Sequence, residues 1–366
     1  MPAGLLIRLR PTGPWRIGPD SGVRDRVDRI YHSDSLYSAV ASAMARLGML
    51  EEWLDATARV PQSPAVRFGS CFPFHGDTLL VAPPRNLWPP PASSKIRWKG
   101  ARFVPLSVVR DLAAGRALSE DGWTVDGESE CLLPSRTPAI PGPFRVAVRT
   151  SAAVDRGGEG VAPHSSACLE FTPDCGLWTV AQFADDAARD VWTPRLTAAF
   201  CLLADSGFGG GRSRGWGRSA RPHFTSGELH TLLPAQEAPQ DGAAAYWLLS
   251  LFHPGASDAV DWTLGDYVMT TRGGRVESDA AWGDPKRLTR MIAEGSVIVS
   301  AAEPHGEATD VAPEGFPHPV YRAGFALALP IGLGKGGRLQ PAAGIQPGSP
   351  GPIEIGPQAE TQGDVS

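Results

Sequence analysis

A segment between residues 205 and 222 combines six glycines with four arginines. It reads DSGFGGGRSRGWGRSARP, with Asp205 as its only acid. Glycine lets a ligand approach the backbone N–H groups, and arginine forms charge-assisted hydrogen bonds to phosphate. The composition therefore suits the binding of a sugar–phosphate chain, whose charge Arg212, Arg214 and Arg218 would neutralise. A wide turn with solvated arginines would have the same composition, so the segment alone leaves both interpretations open.

Two nucleotide-cofactor motifs are excluded for this glycine-rich segment. A P-loop requires a Lys followed by Ser or Thr after the glycines, and no such pair follows here. Residues 215–220 match the dinucleotide pattern G-x-G-x-x-[GA], but that pattern has to follow a strand and open a helix. Here the helical pattern of 192–207 comes before the glycines, and RPHF predicts a strand after them. The order of elements is inverted, and no nucleotide cofactor is expected.

A second polar cluster, YHSD at residues 31–34, opens the clearest helical pattern of the chain, over 31–48. Ser33 or Asp34 is placed to cap that helix, and a helix N-terminus also offers N–H groups to an anion. His32 is a candidate general acid–base. However, no Ser/His/Asp or Cys/His arrangement is evident, and no carboxylates are marked as converging on a metal. We expect neither a catalytic site nor a metal.

The composition indicates a globular protein of the cytoplasm. The formal net charge of −5 gives no overall basic coat, so a nucleic-acid site would have to occupy one face. The five cysteines form no C-x-x-C motif, which disfavours a zinc site. The N-terminus lacks a signal-peptide pattern, and no segment approaches eighteen apolar residues, so no membrane association is expected.

The alternation of apolar residues predicts an α+β fold. Strand patterns at 4–11, 65–74, 77–84, 144–154, 167–173, 175–183 and 218–227 and the two helical patterns suggest the order β-α-β-β followed by β-β-α-loop-β. We expect the strands at 167–173 and 175–183 to pair. This order suggests two split-βαβ units, at residues 1–150 and 151–331, with the glycine-rich segment in the second. The Gly/Pro-rich tail, 332–366, is expected to be disordered.

Several of these segments occur in a recognisable order. HSDSLYSAV is followed by FGSCFPFHGDTLLVAPP, RVAVRT, GFGGGRSRGWGR, YWLLSLFHP, EGSVIVSA and VYRAGFALALPI. This set, which spans about residues 4 to 331, resembles the RAMP superfamily of CRISPR proteins. More narrowly, it is similar to the Cas5-like subunits of type III-A effector complexes.

The resemblance implies two ferredoxin-like (RRM-like) folds and no nuclease site. It also implies three partners: the 5′ repeat-derived tag of the crRNA, a large polymerase-like subunit of the Cas10/Csm1 type, and an adjacent backbone RAMP subunit of the Csm3 type. The alternatives are a metal-independent endoribonuclease that processes repeat RNA, with His32 as its base, and the equivalent subunit of a type III-B or related complex. By position, the implied RNA-binding residues are Ser33, Asp34, Arg145, Arg149, Gly207, Phe208, Gly209, Gly210, Gly211, Arg212, Ser213, Arg214, Gly215, Trp216, Gly217 and Arg218.

Overall fold

The structure is a computed structural model that describes residues 2–18, 25–60, 63–90, 96–137, 139–154, 161–233, 244–277 and 282–331. The tail at 332–366 and the loop at 155–160 lie outside the described residues. The helices are α1 (Ser33–Arg46), α2 (Leu50–Ala56), α3 (Leu106–Ala113), α4 (Asp186–Ser206) and α5 (Leu229–Leu232). The strands are β1 (Ala3–Leu9), β2 (Val66–Phe68), β3 (Phe72–His75), β4 (Thr78–Val81), β5 (Val104–Pro105), β6 (Trp123–Val125), β7 (Leu132–Pro134), β8 (Phe144–Val154), β9 (Val161–Phe171), β10 (Cys175–Phe183), β11 (His223–Glu228), β12 (Ala244–Leu248), β13 (Val260–Asp266), β14 (Met269–Arg272), β15 (Arg275–Glu277), β16 (Trp282–Pro285), β17 (Thr289–Ile292), β18 (Val297–Ser300), β19 (Ala308–Asp310), β20 (Tyr321–Ala323) and β21 (Ala328–Pro330).

Helix α1 forms where helical spacing predicted it. Its residues Leu36, Val40 and Met44 recur at helical intervals and are fully buried. The expectation that Ser33 or Asp34 caps the helix is wrong, because His32 occupies the N-cap and no side chain makes a capping hydrogen bond. Both polar side chains have other partners, described below.

Helix α4 carries the chain into the glycine-rich segment. It begins six residues before the predicted start, because the side chain of Asp185 accepts a hydrogen bond from the N–H of Ala188 at 2.7 Å and caps the first turn. The helix ends at Gly207, whose φ of +79° is a left-handed conformation that glycine adopts without strain. The glycine-rich segment is thus held at its N-terminal end by a helix that packs one face on the core.

The larger sheet has seven strands in the order β11-β1-β10-β3-β4-β5, with β2 also paired to β10. Together with two helices, four of these strands follow the βαββαβ pattern of a ferredoxin-like fold. In chain order its elements are β1, α1, β3, β10, α4 and β11. All of the strand pairs are antiparallel. This is one ferredoxin-like unit, as the sequence led us to expect.

The expected boundary at residue 150 does not divide the molecule. Strands β10 and β11 and helix α4 all follow residue 150, yet they complete the sheet that begins with β1. The first unit therefore runs to about residue 233, and the glycine-rich segment belongs to it rather than to the second unit. The boundary was misplaced because the pairing of β1 with β10 joins residues about 170 positions apart, which local patterns do not reveal.

The second unit is built on a four-stranded antiparallel sheet in the order β13-β18-β12-β21. If the four strands are numbered along the chain, their order across the sheet is 2-3-1-4, which is the strand order of a ferredoxin-like fold. Within residues 244–277 and 282–331 no helix accompanies them. The connections are two-stranded hairpins instead, such as β14 with β17.

Strands β8 and β9 form a long two-stranded ribbon outside both sheets. The predicted strand at 144–154 matches β8, but β9 pairs with β8 along its whole length and not with β10 as we expected. A bridge between Trp15 and Leu169 ties the ribbon to the chain after β1. The ribbon therefore lies against the same N-terminal segment as the glycine-rich segment.

The main hydrophobic cluster contains buried residues of both units. The indole N–H of Trp247, on β12, donates to the carbonyl of Ala82 at 3.1 Å, and the N–H of Ser70 donates to the carbonyl of Leu249 at 2.8 Å. Both indole and backbone groups are buried, so these hydrogen bonds fix the mutual position of the units. Within the described part of the chain, no helix is long and apolar enough to span a membrane.

Candidate nucleic-acid interface

The glycine-rich segment crosses the chain that follows β1 and pairs with it. The N–H of Gly210 donates to the carbonyl of Arg16 at 2.8 Å, and the N–H of Gly217 donates to the carbonyl of Pro14 at 3.0 Å. Between these contacts, Arg212–Arg214 form one 3₁₀ turn that is flanked by left-handed Gly211 and Gly215. The segment is therefore an ordered loop with its turn pointing outward.

Most glycines of this loop are required by the protein's own packing. A Cβ on Gly207 would lie 2.5 Å from the carbonyl oxygen of Trp216, and one on Gly209 would lie 2.7 Å from that of Arg16. A Cβ on Gly217 would collide with the backbone of Phe208, whereas one on Gly215 would meet nothing within 4 Å. The close backbone approach inferred from the sequence exists, but it is made by the protein to itself.

Many N–H groups of the loop are also occupied. Carbonyl oxygens of the protein accept hydrogen bonds from the N–H groups of Gly207, Phe208, Gly210, Arg214, Gly215, Trp216 and Gly217. An N–H group that already donates to a carbonyl is not available to a phosphate oxygen. The cradle of backbone amides proposed from the sequence is therefore incorrect for these positions, and anion binding falls to the side chains.

Phe208 anchors the loop and does not stack on a ligand. Its ring is buried and meets the rings of Trp15 and Tyr31 edge-on, at centroid distances of 4.7 and 5.1 Å. The indole N–H of Trp15 in turn donates to the carbonyl of Arg218 at 3.0 Å. This aromatic cluster holds both ends of the loop against the body of the protein.

The outward turn presents the charged side chains. Arg212, Ser213, Arg214 and Arg218 are exposed, and Trp216 is half-buried. Arg214 lies over the Trp216 ring at 6.0 Å and also reaches the ribbon, where its Nη2 is 2.6 Å from His164 Nε2. Arg212 makes a bidentate contact with Glu277 of β15, at 2.6 and 2.7 Å.

Arg145 and Arg149 lie on one face of β8, both paired with Glu170 of β9. Arg145 Nη2 is 2.9 Å from Glu170 Oε2, and Arg149 contacts the other carboxylate oxygen. These hydrogen bonds hold the pKa of Glu170 below its usual value. Both arginines remain exposed, but one carboxylate already offsets part of their charge.

The loop and the ribbon form one basic surface. Arg145, Arg149 and Ser151 alternate along the same face of β8, and Nη1 of Arg214 reaches Ser151 Oγ at 3.4 Å. The structure thus brings together two groups of residues that the sequence placed about 60 positions apart. The sequence did not point to Glu170, Glu277 and His164 as partners of these arginines. Only the register of β9 and the fold of the second unit bring them into contact.

Ser33 and Asp34 do not belong to this surface. Both are buried, and Ser33 Oγ accepts a hydrogen bond from the N–H of Leu251 at 3.0 Å. Asp34 binds Arg272 of β14 at 3.1 Å through each of its oxygens and Arg322 of β20 through Oδ2. In this arrangement neither residue is accessible to RNA, and together they join α1 to the second unit.

The ion pairs of Asp34 control its ionisation. Burial alone would raise the pKa of the carboxyl, but the charges of Arg272 and Arg322 hold it well below its usual range. Asp34 is therefore a carboxylate at neutral pH.

His32 is enclosed between two carboxylates. Its Nδ1 is 2.8 Å from Glu294 Oε1, and its Nε2 is 3.1 Å from Asp28 Oδ2. Burial alone would lower the pKa of His32, but these two acids overcome that effect and raise it to about 10. A histidine that is protonated and enclosed at neutral pH cannot accept a proton, so this site argues against His32 as a general base.

Among the described residues, no group of three or more His, Cys, Asp or Glu side chains is placed to hold a metal ion. On the loop and the ribbon, Arg212, Arg145 and Arg149 pair with acids, whereas Arg214 contacts His164. The chemistry that this surface offers is therefore the binding of anions by exposed guanidinium groups.

Comparison with known proteins agrees with this fold. Residues 241–331 match the family model of the CRISPR Csm4 C-terminal domain. The structure is similar to Csm4 in a crystal structure of a Csm1–Csm4 cassette in complex with cA4, with a TM-score of 0.55 and 18% identity over 90% of this chain and 98% of that one. It is also similar to Csm4 in a crystal structure of a Csm3–Csm4 subcomplex, with a TM-score of 0.59 and 14% identity over 90% of this chain and 99% of that one. A sequence search of curated proteins gave no significant match.

The fold of the whole chain is similar to that of Csm4 in both solved structures, in agreement with the resemblance seen in the sequence. More particularly, its C-terminal part matches the Csm4 domain family. The matched domain, 241–331, contains the whole second sheet, which agrees with the observed end of the first unit near residue 233.

Proposed function

We propose that this chain is the Csm4-type subunit of a type III-A CRISPR effector complex. In this role it binds the 5′ repeat-derived tag of the crRNA, docks on a large subunit of the Cas10/Csm1 type and adjoins a backbone subunit of the Csm3 type. The observation that carries the proposal is the likeness of nine tenths of the chain to Csm4 from both the Csm1–Csm4 cassette and the Csm3–Csm4 subcomplex.

The exposed basic surface supports a role in RNA binding. Arg214 combines a guanidinium group with the half-buried Trp216 ring beneath it, and Arg218 has no side-chain partner among the described residues. Guanidinium groups bind phosphate oxygens in a forked geometry and also stack on bases. The aromatic anchor of Phe208 keeps the backbone of the loop in a fixed place, which limits the entropy lost on binding.

The proposed role is non-catalytic. The enclosure of His32 between Glu294 and Asp28, which raises its pKa, supports this role because it disfavours the one general base that the endoribonuclease alternative invoked. No other observation favours that alternative. Incubation of the purified chain with repeat RNA in EDTA tests it directly, because site-specific cleavage abolished by His32→Ala would replace the scaffold role with an enzymatic one.

A cytoplasmic location is part of the same proposal. It is supported by the cysteines, all five of which are free thiols in the structure. Proteins of oxidising compartments commonly pair their cysteines, whereas reduced thiols are typical of the cytosol.

Co-purification tests the assembly. The tagged chain would be co-expressed with Csm1-type and Csm3-type subunits and a CRISPR array, and then purified. We expect both subunits to co-elute, together with RNA whose 5′ end carries repeat sequence. Elution of the chain without either subunit and without such RNA would refute the proposal.

A further inference from the structure

Three exposed residues outside the predicted RNA-binding set, Arg10, Arg221 and His223, lie beside Arg218 where β1 and β11 meet. Arg10 directly follows β1, Arg221 lies two residues before β11, and His223 is the first residue of β11. We call Arg10, Arg218, Arg221 and His223 the basic edge. All four are exposed, and none has a side-chain hydrogen bond or ion pair among the described residues.

Backbone pairing places these residues side by side. The N–H of Thr12 donates to the carbonyl of Arg218 at 3.1 Å, and the N–H of Ala220 donates to the carbonyl of Arg10 at 2.8 Å. Further along the same pair of strands, Arg8 lies opposite His223. Because neighbouring strands are only about 5 Å apart, the side chains of Arg10 and Arg221 belong to one cluster.

The cluster lies on one face of the sheet. Leu9 and Pro222 are buried, whereas Arg10 on one strand and Arg221 and His223 on the other are exposed, so side chains alternate between core and surface. This surface is continuous with the loop, since Arg218 connects the outward turn to β11.

The charge of the basic edge has no structural use within the described protein. Arg8, on the same face, binds Asp77 and lies over the Phe74 ring, so its charge is offset internally. Arg145 and Arg149 are offset by Glu170, and Arg212 by Glu277. By contrast, Arg10, Arg218 and Arg221 form no ion pair among the described residues, and like charges on adjacent strands destabilise a sheet.

We propose that the basic edge binds the sugar–phosphate backbone of RNA and continues the path that begins at Arg214. Arg10 and Arg221 contact phosphates, and His223 donates a hydrogen bond to the same strand. This inference rests on the proposed function and extends it, because it directs the RNA from the loop onto the edge of the first sheet. The recognition is independent of base sequence, since it is made by charges that face the backbone.

Salt-dependent binding tests the proposal. The full-length chain would be titrated with a fluorescent single-stranded RNA of guide length over a range of KCl concentrations. Each phosphate contact to a single strand contributes about 0.7 to the slope of log K against log salt, so the variant Arg10→Gln/Arg221→Gln should lower that slope by about 1.4. Arg10→Lys/Arg221→Lys, which keeps the charge, should retain the wild-type slope.

The matched control is Arg116→Gln/Arg189→Gln, which removes two exposed arginines that pair with acids elsewhere on the surface. It should bind RNA with the wild-type slope. An unchanged slope in Arg10→Gln/Arg221→Gln would overturn the proposal, and loss of partner-subunit binding with unchanged RNA binding would assign the basic edge to a protein instead. Arg214→Gln distinguishes failure of the basic-edge proposal from failure of the proposed function. If Arg214→Gln weakens RNA binding and Arg10→Gln/Arg221→Gln does not, the chain binds RNA but the basic edge takes no part in it.

Discussion

The backbone of Gly217 packs so closely against Phe208 that a Cβ on Gly217 would collide with the Phe208 carbonyl. The N–H of Phe208 also donates to the carbonyl of Gly217. The two ends of the glycine-rich loop are therefore joined by direct backbone contact. The bare backbone closes the loop on itself, and the arginines of the outward turn are left to meet a ligand.

Substitution of glycines in the loop tests this closure. Gly217→Ala should lower the free energy of unfolding by more than about 2 kcal/mol, because it adds a backbone collision to an unfavourable left-handed φ. Gly215→Ala is the matched control, since its φ is equally left-handed but its Cβ has free space; a loss of about 1 kcal/mol is expected. Urea denaturation gives both values, and equal losses would refute the closure.

Removal of the buried charge at Asp34 should destabilise the junction of the two units. Asp34→Asn removes the buried carboxylate that Arg272 and Arg322 share, so a loss of about 3–5 kcal/mol is expected. Asp190→Asn breaks an exposed pair with Arg189 and should cost less than about 1 kcal/mol. If the two variants have the same unfolding midpoint in urea, the buried ion pairs do not hold the units together.

His32 should make stability fall as the solution becomes alkaline. Its pKa is raised from 6.5 to about 10 in the folded protein, so its stabilisation is complete below pH 6.5 and disappears as the pH rises towards 10. Between pH 6.5 and 8.5 the wild type should lose on the order of 2 kcal/mol relative to His32→Gln, which cannot titrate there. Parallel curves for the two proteins in urea denaturation at several pH values would show that His32 is not held as a cation.

Neutralising Glu170 should strengthen RNA binding. Glu170→Gln frees the charges of Arg145 and Arg149, so the affinity for single-stranded RNA should rise several-fold and its salt dependence should steepen. Asp190→Asn, which removes one of the two acids that pair with Arg189 on α4 away from the loop, serves as the control and should leave binding unchanged. Unchanged binding in Glu170→Gln would remove the ribbon from the RNA-binding surface.

Local patterns predicted the elements well. The spacing of Leu36, Val40 and Met44 specified α1, and the arginine alternation of 144–154 specified β8, because both periodicities are properties of neighbouring residues. The ordered segments also predicted the RAMP-type fold. The charged turn of the loop was identified from composition alone, since glycine and arginine at that density are unusual in a globular protein.

Long-range contacts could not be predicted in the same way. Asp34 looked like a helix cap because its partners Arg272 and Arg322 follow it by more than 230 positions. The pairing of β9 with β8 instead of β10 depends on the register of a whole ribbon. The glycines looked available to a ligand because nothing local shows that Arg16 and Pro14 already occupy that backbone.

The central claim is that this chain holds the 5′ end of a guide RNA through the basic surface around Arg214. The most direct measurement is nuclease protection of 5′-labelled crRNA in complexes assembled with the wild-type chain, with Arg214→Glu and with the remote control Arg189→Glu. We predict that the wild type and Arg189→Glu protect the 5′ tag and that Arg214→Glu leaves it open to cleavage or fails to retain the RNA. Equal protection of the tag in all three complexes would contradict the account.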